Sequence, residues 1–353
     1  MKPALFIAVV SMFCGAQLAH AVCSHDAVFL TLNDQIRGYS ARANGATEPC
    51  QVLQGPLTTL MTAGATVIDK KDSFHVAQFL TNATVDIFPR KAEGNQPPSR
   101  SFMLTMTNDL PGIAVDSRLN DFVLSVRPST AGVMVVPVNS SGPIPNPIRI
   151  TDPNITQYQS IAIDGDDNLL IAGYDIQGTA IIDTFGTSRS VTAPPLLRSL
   201  TGPKTGLFPG RDVFFSQIAT SIAVDPRTDE LFVYNTTADA SQNQVSIFAA
   251  KANGNVRPIR TISGPATGII GDRLPLPGNR IAVSPDGRLF VTNPNLRILV
   301  FAPGARGDVA PSQVIDDSTP GPARSAGIAF RSGRDRKDDD DGCWRKTDDG
   351  GRN

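Results

Sequence analysis

The chain repeats itself. A short apolar phrase recurs as GIAVD (Gly112–Asp116), SIAID (Ser160–Asp164), SIAVD (Ser221–Asp225), RIAVS (Arg280–Ser284) and GIAF (Gly327–Phe330), with a weaker copy, ATVID, at Ala65–Asp69. A second phrase follows most copies after a polar turn: NLLIAGY (Asn168–Tyr174), ELFVYN (Glu230–Asn235) and RLFVTN (Arg288–Asn293). A third comes next, at Thr84–Asn95, Gln244–Asn255 and Arg297–Asp308, and a fourth closes the unit at Arg257–Ile262 or Ala310–Ile315. The apolar part of each phrase is short, rich in Val, Ile and Phe, and bounded by Gly, Pro, Asn or Asp, which is strand chemistry with turn punctuation. No stretch sustains the 3.6-residue apolar period of a helix. Units at intervals of roughly fifty residues imply elements that bury their apolar faces only by stacking on neighbours. Four short strands per unit and six units predict an all-β fold, a six-bladed β-propeller.

The two ends of the chain are out of phase with the repeat. The last unit begins with Ala326–Phe330 and then runs into charge without supplying a second strand. The missing phrases stand at the other end: AVFLTLN (Ala27–Asn33) matches a second strand, Gln35–Gly45 a third and Cys50–Leu53 a fourth. The ring is therefore expected to be closed by N-terminal strands that complete the last blade, which removes two sheet edges open to aggregation.

Three segments differ in composition. Residues 1–21 combine Lys2, an apolar stretch at Ala4–Phe13 and a small-x-small triplet at Ala19–Ala21, the pattern of a signal peptide. The propeller is expected over 22–333. Apolar residues nearly vanish from Arg331 onward, and 334–353 is expected to be a charged, disordered tail containing Trp344. With that leader the protein is expected to be secreted or periplasmic, and no later stretch offers a membrane span. The net charge of −1 gives no reason to expect nucleic acid as a partner. The expected partner is a small molecule or a protein at one propeller face, with the chain a monomer.

The phrases "GIAVD…LFVxN…ILVFA…GN", spread over residues 27–330, resemble those of the NHL-repeat and gluconolactonase-like six-bladed propellers, although the Asn-His-Leu tripeptide is absent. A propeller's usual site is the mouth of its central channel, built from loops of one face. The resemblance to gluconolactonases implies a divalent metal in that channel, held by one Glu with Asn and Asp side chains. No residues of this chain can be matched to that set, so no metal and no cofactor is assigned. The function expected is a ligand-binding or protein-interaction module. The alternative is a metal-dependent, lactonase-like hydrolase working at the channel.

Candidate site residues follow from the loops of the mouth. The second strand ends at Asn33, Asn82, Asn235 and Asn293, whose amide oxygens suit a sugar or a cation and equally suit turn capping. The fourth-to-first connections share GPLTTL (Gly55–Leu60), GPKTGL (Gly202–Leu207) and GPATGI (Gly264–Ile269). After the second of these come Phe208, Phe214 and Phe215, notable where only 6% of residues are aromatic; they line a pocket or seal their own loop. Asp116 and Asp225 end innermost strands on the opposite face, as turn caps. DGDDN (Asp164–Asn168) and DDDDG (Asp338–Gly342) read as a polar turn and a solvated tail rather than calcium loops. Beyond the leader stand Cys23, Cys50 and Cys343. In an oxidising compartment Cys23–Cys50 is the expected disulfide, with Cys23–Cys343 its competitor.

Overall fold

The computed structural model describes residues 22–333 except residue 24 and the stretches 80–81, 106–111, 126–130, 188–191, 209–218, 237–242, 271–278, 294–295 and 319–326. Its strands form six sheets, each built on an antiparallel blade of four strands, with a fifth, parallel strand added at the edge of two of them. Blade 1 runs Ala63–Ile68, Phe74–Phe79, Ala83–Phe88, Arg100–Leu104, and blade 2 runs Ile113–Val115, Asp121–Ser125, Gly132–Val136, Ile148–Ile150. Blade 3 is Gln157–Ile163, Leu169–Tyr174, Ala180–Phe185, Leu196–Thr201, and blade 4 is Ala219–Val224, Leu231–Thr236, Gln244–Phe248, Arg260–Ser263. Blade 5 is Ile281–Val283, Leu289–Asn293, Arg297–Phe301, Gln313–Asp317. Blade 6 takes its innermost strand, Gly327–Arg331, from the C-terminal end and Ala27–Leu32, Gln35–Ser40 and Gln51–Gln54 from the N-terminal end, with Leu30 opposite Ile328. Each "IAV" phrase is an innermost strand, and these strands neighbour one another around a six-membered circuit. The protein is a six-bladed β-propeller.

The apolar core is divided among the blade junctions. In blade 4, Leu231 and Val233 face blade 3, packing with Leu170, Ala172 and Ile182. The alternate residues Phe232 and Tyr234 face blade 5, packing with Ile281, Leu289 and Val291. Every junction has such a cluster, including Phe29, Leu53, Phe74 and Val76 between blades 6 and 1. A blade buried on both faces has no polar side to alternate with, which is why its inner phrases read as continuous apolar runs.

The repeated polar phrases form clasps between blades. The Gly-Asn or Gly-Asp that follows the third strands of blades 1, 4 and 5 reaches the outer strand of the preceding blade through a parallel bridge: Gly94 to Leu53, Gly254 to Leu200 and Gly307 to Ile262. The next side chain caps the short 3-10 turn that leaves that outer strand. Asn95 Oδ1 accepts from Leu57 N, Asn255 Oδ1 from Lys204 N and Asp308 Oδ1 from Ala266 N, each at 2.7 Å. The glycines opening those turns are required there. Gly202 has φ +108°, and a Cβ on it would lie 2.7 Å from Asn255 Cγ. At two other junctions the bridging segment lengthens into an extra parallel strand, Gly142–Ile144 on blade 1 and Gly45–Thr47 on blade 5. These strands are absent from the sequence reading because their residues carry no strand preference of their own; they exist by pairing with an edge that would otherwise be open.

Cys23 and Cys50 form the expected disulfide, with Cα atoms 5.2 Å apart. The acid at the end of each of several innermost strands caps the turn after it, as expected. Asp116 Oδ1 accepts from the amides of Arg118 and Asn120, Asp164 Oδ1 from those of Asp166 and Asn168, and Asp225 Oδ1 from those of Arg227 and Thr228. DGDDN is thus a turn. DDDDG lies outside the described residues, as do the rest of the tail, Cys343 and the leader.

Candidate functional site

One face of the ring carries the connections from outer strand to next innermost strand and from second to third strand. This is the mouth face. On it, the junction of blades 3 and 4 gathers the most site-like chemistry among the described residues. The second strand of blade 3 ends in Tyr174, fully buried, whose hydroxyl lies 2.7 Å from Thr220 Oγ1 across the junction. Thr220 stands near the start of the innermost strand of blade 4, half-buried, directly opposite Asn235 in the sheet register. Asn235 Nδ2 donates to the same Thr220 Oγ1 at 3.1 Å. Asn235 itself is 0% exposed, and its Oδ1 has no hydrogen-bond partner. An unmet buried carbonyl costs about 1–3 kcal/mol, so its retention needs a reason.

The electrostatics are neutral. Burial pushes the Tyr174 phenol up to about 12, against a smaller lowering from its bond to Thr220, so it stays protonated at physiological pH. The trio offers one buried, unpaired carbonyl acceptor and two hydroxyls. It can hold a hydroxyl or an amide donor of a ligand, but it contains no general base. The longest aromatic-bearing connection spans the same junction: it leaves blade 3 at Gly202, passes Phe208, which is half-buried, and returns at Ala219, next to Thr220. Phe214 and Phe215 lie in that connection, outside the described residues.

The other mouth asparagines have different surroundings. Asn33 is exposed and lends its backbone carbonyl to Ala63 N at 2.9 Å. Asn82 is half-buried. Asn293 is buried and bonded at both ends, donating from Nδ2 to Gly268 O at 2.7 Å and accepting from Ile270 N at 3.1 Å. It holds the connection between blades 4 and 5 in place. Only Asn235, of the four, presents a buried oxygen without a donor.

Three further polar groupings were not legible in the sequence. His75, on the second strand of blade 1, donates from Nδ1 to Asp121 Oδ1 at 2.5 Å and from Nε2 to Asp69 Oδ2 at 3.2 Å. Burial opposes its charge, but the hydrogen bonds to Asp121 and Asp69 and their negative charges outweigh it and raise the imidazole to about 9. Under the mouth-face segment after Ile150, Asp152 faces Asp183 of blade 3, both buried. On the opposite face a cavity of about 20 Å³ lies between blades 3 and 4, lined by Asp164, Arg198, Asp229 and Lys251 among others. That is room for about one water, and Arg198 is paired with Asp164 at 2.9 Å. Among the described residues no group of three or more His, Cys, Asp or Glu is arranged to hold a metal ion, and no helix is long and apolar enough to cross a membrane.

No family model and no curated protein matches the chain. Solved structures resemble it in fold. A protein of unknown function from Bacteroides caccae superposes with a TM-score of 0.56 at 9% identity, over 87% of this chain and 99% of that one. The periplasmic gluconolactonase of Pseudomonas aeruginosa superposes with a TM-score of 0.51 at 15% identity, over 85% of each chain. A putative 6-phosphogluconolactonase from Bacteroides fragilis gives 0.52 at 12% identity, over 88% of this chain and 98% of that one. At these identities the likeness is one of propeller architecture.

Proposed function

We propose that this propeller is a ligand-binding module whose site is the mouth face at the junction of blades 3 and 4, and that its ligand is a small polyhydroxylated molecule of the sugar or sugar-acid class. The observation that carries this reading is the buried, unpartnered Oδ1 of Asn235 beside the Thr220 and Tyr174 hydroxyls. A ligand hydroxyl donating to Asn235 satisfies the carbonyl, and the hydroxyl pair next to it accepts or donates as the ligand requires. The half-buried Phe208, at the start of the connection, supplies apolar surface on which a sugar ring stacks. We further propose a monomer exported to an oxidising compartment; the Cys23–Cys50 disulfide and the leader-like first residues support the choice of compartment.

The alternative is a lactonase-like hydrolase with a channel metal. It draws support from the architecture shared with a periplasmic gluconolactonase. One titration separates the two. Sugars, sugar acids and their lactones are titrated calorimetrically into the wild type and into Asn235→Ala, with and without EDTA. The binding module predicts saturable heat for an unreacted sugar or sugar acid, weakened at least tenfold by Asn235→Ala and indifferent to EDTA. Steady turnover of a lactone that EDTA abolishes identifies the hydrolase.

A further inference from the structure

The repeat supplies its own control for the pair Asp152 and Asp183. Asp317 follows Ile315 by two residues at the end of the blade 5 outer strand, and Asp152 follows Ile150 by two residues at the end of the blade 2 outer strand. Arg37 lies two residues before the buried aromatic of the blade 6 third strand, Tyr39, and Asp183 lies two before the corresponding Phe185 in blade 3. At the junction of blades 5 and 6 these two positions hold an acid and a base, and Arg37 donates to Asp317. At the junction of blades 2 and 3 the same two positions hold an acid and an acid. Blade 1 also has an aspartate at the third-strand position, Asp86, but there Thr59 Oγ1 at 2.9 Å and Gln78 Nε2 at 2.5 Å donate to it. Asp183 receives one such bond, from Asn154 Nδ2 at 3.2 Å to Oδ2.

What remains is two oxygens, Asp152 Oδ2 and Asp183 Oδ1, both shut away from solvent and neither with a donor from the protein. The residues carrying them are 4% and 0% exposed. The other carboxylate oxygen of Asp152 is occupied by the amide of Asn154 at 2.8 Å. Of the other titratable or charged groups nearby, neither Tyr158 nor Arg149 forms an ion pair with the two carboxylates. The Tyr158 hydroxyl from the innermost strand of blade 3 accepts from Asp152 N and donates to Asp152 O. Arg149 from the outer strand of blade 2 spends its guanidinium on the Ala131 carbonyl. Two carboxylates at hydrogen-bond range in a low-dielectric site cannot both ionise.

We infer that Asp152 and Asp183 share a single proton and form an acid-closed latch that holds the 151–156 connection on blade 3. The proton lies between the two facing oxygens; its release to solvent leaves two carboxylates that repel and frees the connection. Burial, reinforced by Asp183, holds the carboxyl of Asp152 far above the usual carboxylate range, at about 7. An unfolded aspartate loses its proton near 4, so the unfolded chain binds fewer protons than the native one between about pH 4 and 7, and the pair costs stability as pH rises through that window. The latch also touches the mouth. Thr156, at the far end of the connection, donates from its amide to Tyr174 O at 2.9 Å, so opening it loosens the strand end that carries the Tyr174 hydroxyl. The latch does not depend on what the mouth binds, and its test needs no ligand.

The test is amide exchange at Ile155 and Thr156, corrected for the intrinsic pH dependence of exchange, with parallel melting curves from about pH 5 to 9. Wild type, Asp183→Asn and Asp152→Asn are compared with and without calcium. The latch predicts that protection at these amides falls above about pH 7 in the wild type and stays level in both variants. It also predicts that Asp183→Asn melts higher than the wild type at pH 8 and that this advantage shrinks at pH 5. Equal loss of protection in all three proteins, or none in the wild type, overturns it. A calcium-dependent rise in wild-type melting that EDTA reverses and Asp183→Asn abolishes also overturns it, because the missing positive charge would then be a bound cation.

Discussion

His75 carries a proton that burial alone would strip from it. Its folded value near 9 lies above the ordinary imidazole value of 6.5, because Asp69 and Asp121 grip both ring nitrogens. A raised imidazole contributes stability that is complete below about pH 6.5 and is lost as pH rises through 9, in total about 3 kcal/mol. Melting temperature should therefore fall between about pH 7 and 10 in the wild type. That alkaline limb should flatten in His75→Gln, which is also less stable at neutral pH because it leaves buried Asp121 with only the more distant Arg100, at 3.8 Å, to offset its charge. Asn235 predicts the reverse balance. Its carbonyl is already unmet, so Asn235→Ala should cost less than about 1 kcal/mol by chemical denaturation while removing ligand binding. A loss of 3 kcal/mol would mark Asn235 as a structural residue. Neither role is visible in the sequence: His75 sits in a strand phrase far from Asp121, and the four mouth asparagines look alike until three are seen to be exposed, half-buried or fully bonded.

The clasp is a matter of elements. A Gly-Pro turn on one blade and a Gly-Asn or Gly-Asp on the next recur together, and the structure shows one capping the other. Asn255→Ala removes one cap and should cost about 1 kcal/mol. Gly202→Ala meets both a left-handed backbone and a 2.7 Å contact with Asn255, and should cost about 2–4 kcal/mol. The double variant relieves part of the clash, so its cost should fall short of the sum, which a denaturant double-mutant cycle reads directly. The strands were legible because β-branched and aromatic runs between turn residues need no distant information. The clasp was legible only as two unrelated recurring phrases, since what joins them is contact between neighbouring units. The disulfide could be anticipated because both cysteines fall in one blade. Reducing it, or replacing Cys50 with Ser, should lower stability by about 3 kcal/mol, the denatured-state entropy of a loop of this size.

At the scale of the whole molecule the question is how the first and last strands act together. The charged composition from Arg331 onward reads as a tail, but Arg331 itself belongs to the strand Gly327–Arg331 and is 1% exposed. Its guanidinium donates to Arg90 O, Cys23 O and Gln51 Oε1 and lies 4.6 Å from the Phe29 ring centre. Burial, with the nearby Arg90, lowers it to about 10, still protonated at neutral pH. A buried charge met by carbonyls and aromatic faces is a contact that composition cannot forecast. We propose that this strand locks the ring, and the position of the mouth depends on that. The direct measurement compares the full chain with chains ending after residue 333 and after residue 326, by gel filtration and thermal melting. The account predicts that ending at 333 leaves a monomer with unchanged melting, and that ending at 326 opens blade 6 and yields oligomeric, insoluble or non-cooperatively melting protein. A monomer ending at 326 that melts as cooperatively and as high as the full chain would contradict it.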